Sequence, residues 1–262
     1  MGSKKSADKK TKLSDSIQAI PKDAGPGELA LVRARMQTLA NPEQALFAQR
    51  FFKTGPGEYG EGDVFMGIRV PVLRELVREF KSIQLQSMVL LLQSMMHEER
   101  LLALLLMVDR FAKSKKDEAQ KGRIYEAYLA NTPWINNWDL VDSSAEHIVG
   151  RFLKDKDRAP LYGLVESKNV WERRIGIMAS FHFIRKGEFE ETLRLAALLL
   201  GDKEDMIHKP TGWMLREIGK RKLEIEIAFL KEHYKKMPRT MLRYAIERFP
   251  EALRQQYLQG QI

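Results

Sequence analysis

The 262-residue sequence contains no cysteine. This absence excludes disulfides, thiolate zinc sites, iron–sulfur clusters and a cysteine nucleophile, and it favours a reducing, cytoplasmic setting. Long apolar runs are also missing, since no stretch of about 18 uncharged apolar residues occurs. The start of the chain, MGSKKSADKKTK, lacks the apolar segment of a secretory signal. We therefore expect neither a membrane span nor a secretory signal.

Acidic residues are in the minority, with 35 Asp and Glu against 44 Lys and Arg, which gives a net charge of +9. The first 12 residues hold five lysines and one aspartate. The basic excess extends beyond this segment, so an anionic partner is indicated. We expect a disordered basic tail over residues 1–14 and a single domain over residues 15–262.

The sequence has almost no alternation of apolar and polar residues at period two, whereas helical periodicity runs through nearly all of it. This predicts an all-α fold, with continuous helices over residues 138–154 and 170–185 among others. The segments 101–111, 173–183 and 212–219 each take the place of the second helix of a pair. Such pairs predict a HEAT-like helical-repeat α-solenoid with a concave, basic face.

One segment, residues 53–71, interrupts the helical pattern. It contains GxGxxG at Gly55, Gly57 and Gly60. A dinucleotide-binding fingerprint needs a strand before these glycines and a helix opening within them. Here a helical pattern precedes the glycines and Pro56 lies between them, so we interpret the segment as an ordered loop between helices.

Searches for common catalytic patterns find little. The five histidines show no HExxH spacing, and no Walker A or GxSxG sequence occurs. Ser143 and Ser144 lie near His147, but residues of one helix do not converge as a catalytic triad does. His97 and the charges after it are typical of a helix start. We expect neither a metal nor a cofactor.

Charged residues recur beside tryptophans at helical spacing. The pairs, which share a helix face, are Trp138 with Asp142, Trp171 with Arg174, and Trp213 with Arg216. Core packing is the simpler interpretation of Trp134 and Trp171. A carboxylate one turn from Trp138 on the same face is a poor core residue, because burying it unpaired is costly. A lined cleft is therefore favoured around Trp138 and Asp142.

Five strings make the sequence recognisable: RFFKTGPGEYGEGDVFMGIRVP (50–71), INNWDLVDSSAEHIVG (135–150), WERRIG (171–176), IHKPTGWMLREIGKR (207–221) and MPRTMLRYAIERFP (237–250). Together and in this order they resemble the AlkD-type DNA alkylation repair family, DNA glycosylases built from HEAT-like repeats. The resemblance extends over about residues 28–250.

The resemblance implies a monofunctional DNA glycosylase of base excision repair. Such an enzyme hydrolyses the N-glycosidic bond of cationic alkylated purines, N3-alkyladenine and N7-alkylguanine, in duplex DNA and leaves an abasic site. Carried over motif by motif, the catalytic residues are Trp138, Asp142 and Trp213. The DNA-binding residues implied are Phe51, Lys53, Arg174, Lys209 and Arg216. Phe51 departs from the tyrosine of some relatives, and Pro210 replaces a usual helix former in HKxxGWMLRE, which predicts a kink or a first helical turn.

The residue types suit this chemistry. A purine alkylated at N3 or N7 leaves as a neutral base, so the enzyme needs to stabilise a cationic sugar and supply water rather than a general acid. An ionised Asp142 does both. The implied partner is duplex DNA containing alkylated bases, in the cytoplasm or on the nucleoid of a bacterium, and a monomer suffices.

A second hypothesis stays open at this point. HEAT-like solenoids are generally binding scaffolds, so a non-catalytic protein that binds nucleic acid or an acidic protein partner is the alternative. Asp142 discriminates between the two, because a carboxylate facing anionic DNA would weaken simple binding.

Overall fold

The structure is a computed structural model that describes residues 26–262. The predicted basic tail, residues 1–14, lies outside the described residues. Within residues 26–262 the fold is all-α, as predicted, and its only β-type pairing is an isolated bridge between Val64 and Met96. No helix in this range has the length and apolar character needed to cross a bilayer.

The helices are bounded as follows: α1 Pro26–Gln37, α2 Pro42–Phe51, α3 Val70–Glu79, α4 Leu85–Leu92, α5 His97–Lys113, α6 Glu118–Ala130, α7 Trp138–Asp142, α8 Ala159–Val165, α9 Val170–Ala179, α10 Phe181–Ile184, α11 Glu190–Leu198, α12 Asp205–Gly219, α13 Leu223–His233, α14 Arg239–Ala245 and α15 Glu251–Gln259. A π-helical turn covers Glu146–Gly150, and 3₁₀ turns cover Thr132–Trp134, Leu199–Gly201 and Ile246–Arg248.

Helices from different parts of the chain form a continuous row. Along this row α5 packs against α7, α7 against α9, α9 against α12, and α12 against α14. Consecutive pairs such as α4–α5 and α8–α9 also pack together, so the predicted second helices 101–111 and 173–183 do follow a partner. The row matters for function because α7, α9 and α12 carry the tryptophans, Asp142 and the arginines that the sequence singled out.

Side-chain caps fix where two of the tryptophan-bearing helices begin. The Asn137 side chain accepts a hydrogen bond from the backbone N–H of Trp138 at 2.8 Å, and Asn169 accepts one from Trp171 at 2.9 Å. An N-cap satisfies a backbone donor that the helix itself leaves unpaired. Trp138 and Trp171 are therefore placed at helix starts by the residues just before them.

Two helices that the sequence predicted as continuous are interrupted, so that part of the prediction was wrong. The helix predicted over 138–154 stops at Asp142, and the one predicted over 170–185 breaks at Ser180. Ser144 donates its hydroxyl to the Leu140 carbonyl at 2.6 Å, and Ser180 donates to Ile177 at 2.7 Å. Serine hydroxyls compete with the backbone for these carbonyls, which explains both breaks.

The apolar core lies in two clusters. The larger one runs from Val32 on α1 to Ile218 on α12, and the smaller one packs the C-terminal helices around Phe229, Met241 and Tyr257. Trp171, which is 7% exposed, belongs to the larger core, as the sequence favoured. Trp138 and Trp213 pack only partly against it. Their half-buried positions leave these two indoles at the margin of the core.

The segment with GxGxxG lies between α2 and α3, and no strand precedes it. It consists of turns, with left-handed backbone at Lys53 (φ 51°) and Gly57 (φ 76°). The interpretation as an ordered loop is confirmed.

Candidate active site

Trp138 begins the short helix α7 and lies in an aromatic cluster. Its ring stacks on Phe52, with centroids 5.4 Å apart and planes 24° apart, and meets Phe51 edge-on at 6.0 Å. Phe52 also contacts the His97 ring at 5.0 Å. The indole is half-buried, so the cluster supports Trp138 while leaving part of it accessible. This arrangement fits the cleft that the Trp138–Asp142 spacing indicated.

Asp142, one turn after Trp138, is paired with Arg174 of α9. Arg174 Nε donates to Oδ1 at 2.9 Å and Nη2 donates to Oδ2 at 2.8 Å. Burial raises the pKa of the Asp142 carboxyl above its ordinary value, and the charge and hydrogen bonds of Arg174 reduce this rise without cancelling it. A carboxylate with a donor on each oxygen is bound in its ionised form. The bidentate geometry thus supplies the charge that the sequence argument required of Asp142.

The third nitrogen of Arg174 reaches α12. Its Nη1 donates to the Met206 carbonyl at 2.6 Å. Four residues later stands Pro210, which has no backbone N–H to offer to this carbonyl. The helix nevertheless continues from Asp205 to Gly219, so Pro210 lies inside it rather than in its first turn. The proline therefore leaves free the carbonyl that anchors Arg174.

Trp213 lies on the same face of α12 as Met206, because seven residues make about two turns, or roughly 10 Å along the axis. Its Nε1 donates to Glu217 at 3.2 Å, and its ring contacts Phe181 at 5.9 Å. Burial raises the pKa of Glu217, but hydrogen bonds from Lys220 and Arg221 outweigh this effect and lower it below its ordinary value. An ionised Glu217 holds the indole N–H.

A buried polar cluster lies beside Trp138 and connects distant parts of the chain. His97, 2% exposed, faces two carboxylates: Nδ1 is 3.1 Å from Asp63 and Nε2 is 2.8 Å from Asp139. Asp63 also accepts from Arg100 at 2.6 Å and from Asn137 at 3.0 Å. The residues on both sides of Trp138 are thereby tied to α5.

The charges of this cluster reinforce one another. Burial lowers the pKa of His97, but the hydrogen bonds to Asp139 and Asp63 raise it to about 9, so the ring is an imidazolium at neutral pH. Burial raises the pKa of Asp63, while His97 and Arg100 bring it below its ordinary value. Asp139 thus makes an ionic contact with His97 that gives it a structural role.

The residues expected to contact DNA differ in their surroundings. Arg174 is committed to Asp142, and Arg216 forms an ion pair with Glu247 of the 3₁₀ turn after α14. Contact with phosphates by either arginine would compete with these carboxylates. Lys53 and Phe51 are exposed, Phe51 at 54%. Lys209 is half-buried, 3.7 Å from Asp205. The DNA contacts stay predictions for all five residues.

Sequence reasoning missed the roles of Asp63 and His97. The histidine does begin a helix, as expected, yet all four residues of the His97–Arg100 segment are buried. Glu98 accepts from the backbone N–H groups of residues 66, 67 and 68, at 2.9, 2.7 and 3.2 Å. A signal was present, because these charges lead directly into the most apolar stretch of the sequence.

The chain is similar to known proteins in sequence and in fold. A family profile described as "DNA alkylation repair enzyme" matches residues 32–249. The chain belongs to the DNA alkylation repair enzyme family. A solved structure described as a predicted DNA alkylation repair enzyme from Enterococcus faecalis is similar, with a TM-score of 0.60 and 19% sequence identity over 81% of this chain and 97% of that one. No curated protein matches the chain significantly.

The family match extends over the helices of the candidate site. The matched range includes α7, α9 and α12, and so it contains Trp138, Asp142, Arg174 and Trp213. The solved relative shares the all-α fold. The family points to enzymatic repair of alkylated DNA, and which bond is broken is a separate question.

Proposed function

We propose that this protein is a monofunctional DNA glycosylase that releases cationic alkylated purines, N3-alkyladenine and N7-alkylguanine, from duplex DNA. The observation that carries the proposal is the position of the Asp142 carboxylate, one helical turn from Trp138. Both of its oxygens accept hydrogen bonds from Arg174. A carboxylate fixed as an anion is suited to a reaction in which positive charge develops on a sugar.

The reaction balances without a general acid. The bond between C1′ and the purine nitrogen breaks, and its electron pair neutralises the charge of the alkylated base. The sugar approaches an oxocarbenium ion, water forms the new bond to C1′, and one proton passes to Asp142 or solvent. Asp142 both stabilises the cation and orients the water.

The two indoles suit the cationic partner. Trp138 and Trp213 each offer an electron-rich face, and a cation–π contact contributes roughly 0.5 to 2 kcal/mol depending on desolvation. Phe52 and Glu217 restrain these two rings in the structure. Restrained rings lose little entropy on binding, so the gain is available for recognising the charged nucleoside.

Duplex DNA would be bound through the backbone. The exposed side chains of Lys53 and Phe51 flank the Trp138 cluster, and the net charge of +9 favours a polyanion. Phosphate contacts position a duplex without reading its sequence. We include Lys209 and Arg216 among the residues that hold the duplex backbone, the latter by exchanging Glu247 for a phosphate.

The experiment is release of free base from duplex DNA treated with a methylating agent, with no metal or cofactor added. We expect Asp142→Asn to slow release by about 100-fold or more, the usual cost of losing a main electrostatic group. Duplex affinity should stay within a few-fold. Asp155→Asn, the same change on a carboxylate that is 82% exposed, is the matched control.

Thermal unfolding of both variants checks that they are folded. Equal loss of binding and release in Asp142→Asn would contradict the assigned role. If the wild-type protein binds the duplex with strong salt dependence but releases no base, the non-catalytic scaffold is the correct interpretation instead.

A further inference from the structure

The side chain of His97 contacts a carboxylate at each of its ring nitrogens. Nδ1 lies 3.1 Å from Asp63, in the loop before α3, and Nε2 lies 2.8 Å from Asp139 of α7. A neutral imidazole carries one N–H, so one of the two carboxylates would then face a lone pair. The ring is 2% exposed, which leaves no room for water to supply the missing donor. The geometry therefore favours the imidazolium form, which donates to both.

A first connection between His97 and Trp138 runs through the start of α7. Asp139 directly follows Trp138 in this helix of five residues. Its Oδ1 accepts from the backbone N–H of Leu140 at 2.9 Å, while its Oδ2 faces His97. A helix of so few residues has little stability of its own. The position of α7 therefore depends on contacts such as this one with α5.

A second connection runs through the residue that caps this helix. Asp63 Oδ2 accepts from the amide nitrogen of Asn137 at 3.0 Å, in addition to its contact with His97. The amide oxygen of Asn137, which is fully buried, accepts from the backbone N–H of Trp138 at 2.8 Å. Because the amide nitrogen is bonded to Asp63, its oxygen points to the helix. Asp63 thus orients the cap of α7.

A third connection runs through aromatic rings. His97 stacks on Phe65, with centroids 4.6 Å apart and planes 25° apart, and contacts Phe52 at 5.0 Å. Phe52 in turn stacks on the indole of Trp138. A cation beside an aromatic face is attracted to it, so the charge of His97 strengthens these contacts. The three connections reach Trp138 at the residue before it, at the residue after it and at its ring.

We propose that His97 is a positioning residue of the active site, which in its imidazolium form holds Trp138 in the orientation used for catalysis. The inference rests on the proposed glycosylase function for its catalytic consequence, but not for the hold on Trp138. Loss of the imidazolium proton leaves one carboxylate without its donor, and it loosens α7 or its cap.

The charged groups that face the His97 ring come from three elements. They are Asp63 of the loop, Asp139 of α7 and Arg100 of α5 itself. Arg100 donates to Asp63 at 2.6 Å, and an arginine keeps its proton in proteins. His97, with a pKa of about 9, is therefore the donor of this cluster that is lost in the alkaline range.

The hold on Trp138 is tested by ¹⁹F nuclear magnetic resonance of the full chain labelled with 5-fluorotryptophan. The sequence has four tryptophans, so four signals are expected, and Trp138→Phe identifies the one that belongs to Trp138. In the wild-type protein this signal should move as pH rises through about 9, where His97 loses its proton, while the Trp213 signal stays. An unmoved Trp138 signal overturns the proposal. Because this test leaves His97 in place, it does not depend on whether a His97 variant folds.

The catalytic consequence is tested by base release under single-turnover conditions, with spontaneous release subtracted at each pH. The wild-type rate should fall as pH rises through about 9, because the proton that His97 needs is lost there. His97→Gln keeps a neutral N–H donor near the position of Nε2 and does not titrate in this range. At neutral pH it should slow release at saturating duplex by about 3- to 10-fold, the effect of one ordinary hydrogen bond, with duplex affinity unchanged. The alkaline fall should be absent in this variant.

Two further variants show whether the effect passes through Trp138. His233→Gln is the matched control, because His233 of α13 also lies against a phenyl ring and near a carboxylate, and it should leave the rate and its pH profile unchanged. In a Trp138→Phe background, His97→Gln should cause no further loss, because the indole that it positions is already absent.

The possible failures are distinguishable. A role in stability alone would lower the melting temperature of His97→Gln but leave the alkaline fall in place, and that result would overturn the proposal. Additive losses in the double variant would show that His97 does not act through Trp138. If the wild-type protein releases no base, the glycosylase function falls, and the ¹⁹F signal still decides whether His97 holds Trp138.

Discussion

Asp142 and Arg174 form an ion pair in which each partner needs the other. Arg174 is 6% exposed, and all three of its nitrogens are engaged with Asp142 and Met206. Removing one member of a buried pair leaves an uncompensated charge, which is more costly than losing the attraction alone. Burial is the largest influence on the pKa of the Asp142 carboxyl and raises it, and the guanidinium of Arg174 is the group that opposes this rise.

This dependence predicts a shift in pH profile. In the proposed reaction, base release requires ionised Asp142, so the rate should rise as pH increases through the pKa of this carboxyl. Arg174→Gln removes the group that opposes the effect of burial, and we expect the acidic limb to move to higher pH. Arg173→Gln is the matched control, because the neighbouring Arg173 pairs with Asp202 instead. An unmoved limb in pH–rate measurements would show that ionisation of Asp142 does not govern the rate.

The placement of the candidate site residues on one helix face could be predicted from the sequence. The residues that hold them in place through long-range contacts could not. Trp138 and Asp142 lie four residues apart, and helix geometry alone puts them on one face. The bond from Asn137 to Asp63 joins residues 74 positions apart, and no local periodicity carries that information. Asp63 was hidden for the same reason, since a loop residue follows no period.

At the scale of elements, α12 contains a proline whose missing backbone hydrogen bond is replaced by a side chain of another helix. A proline inside a helix costs about 3 kcal/mol relative to alanine. Pro210 leaves the Met206 carbonyl without its usual backbone donor, and Arg174 takes that place at 2.6 Å. From the sequence, Pro210 predicts a kink or a first helical turn. In the structure, the carbonyl left free by the proline is bound by Arg174 of α9.

Restoring the missing donor should therefore separate stability from activity. In Pro210→Ala the new N–H competes for the Met206 carbonyl, and the anchor of Arg174 is weakened. We expect a higher melting temperature but base release slowed by about 2- to 5-fold, less than the cost of a whole hydrogen bond to a charged group. Pro160→Ala, in the first turn of α8, provides the control, because a proline there removes no helical bond. A more stable variant of unchanged rate would mean that the carbonyl accepts both donors.

Helix bounds were predictable to the extent that breaks follow capping chemistry. Proline or asparagine marks about half of the helix starts, and the order of elements follows the periodicity. The break after Asp142 was not predicted, because Ser143 and Ser144 are tolerated in many helices. In the structure, the Ser144 hydroxyl donates to the Leu140 carbonyl at 2.6 Å. This bond shows that the serine competes with the backbone for that carbonyl.

At the scale of the whole molecule, a second buried carboxyl group is that of Glu226 on α13. This residue is 2% exposed, and its Oε1 has no hydrogen-bond partner among the residues that the structure describes. Burial raises the pKa of Glu226 to about 8, although the charge of Arg216 opposes the shift. Its carboxyl in turn contributes to the raised pKa of Tyr257, whose own burial is the larger cause. Glu226 is therefore protonated in the folded protein at neutral pH.

Glu226 and His97 together give the fold a dependence on pH of known sign. Each binds its proton more tightly in the folded protein, with a pKa of about 8 for Glu226 and about 9 for His97, than in the unfolded chain, where ordinary values of 4.5 and 6.5 apply. The folded state holds more protons between these limits. The contribution of Glu226 to the free energy of unfolding therefore falls as pH rises from about 4.5 to 8, and that of His97 falls from about 6.5 to 9.

We expect the wild-type protein to lose about 2 to 5 kcal/mol of unfolding free energy between pH 5 and pH 9 through Glu226, given about 1.4 kcal/mol for each pKa unit. Glu226→Gln keeps a neutral side chain at all pH values, so this loss should vanish and only the contribution of His97 should remain above pH 6.5. Glu224→Gln, exposed in the first turn of the same helix, should leave the wild-type profile unchanged. Denaturant unfolding at a series of pH values measures all three proteins. A Glu226→Gln profile parallel to that of the wild type would show that the carboxyl is already ionised in the folded state, with Arg216 as its counter-charge.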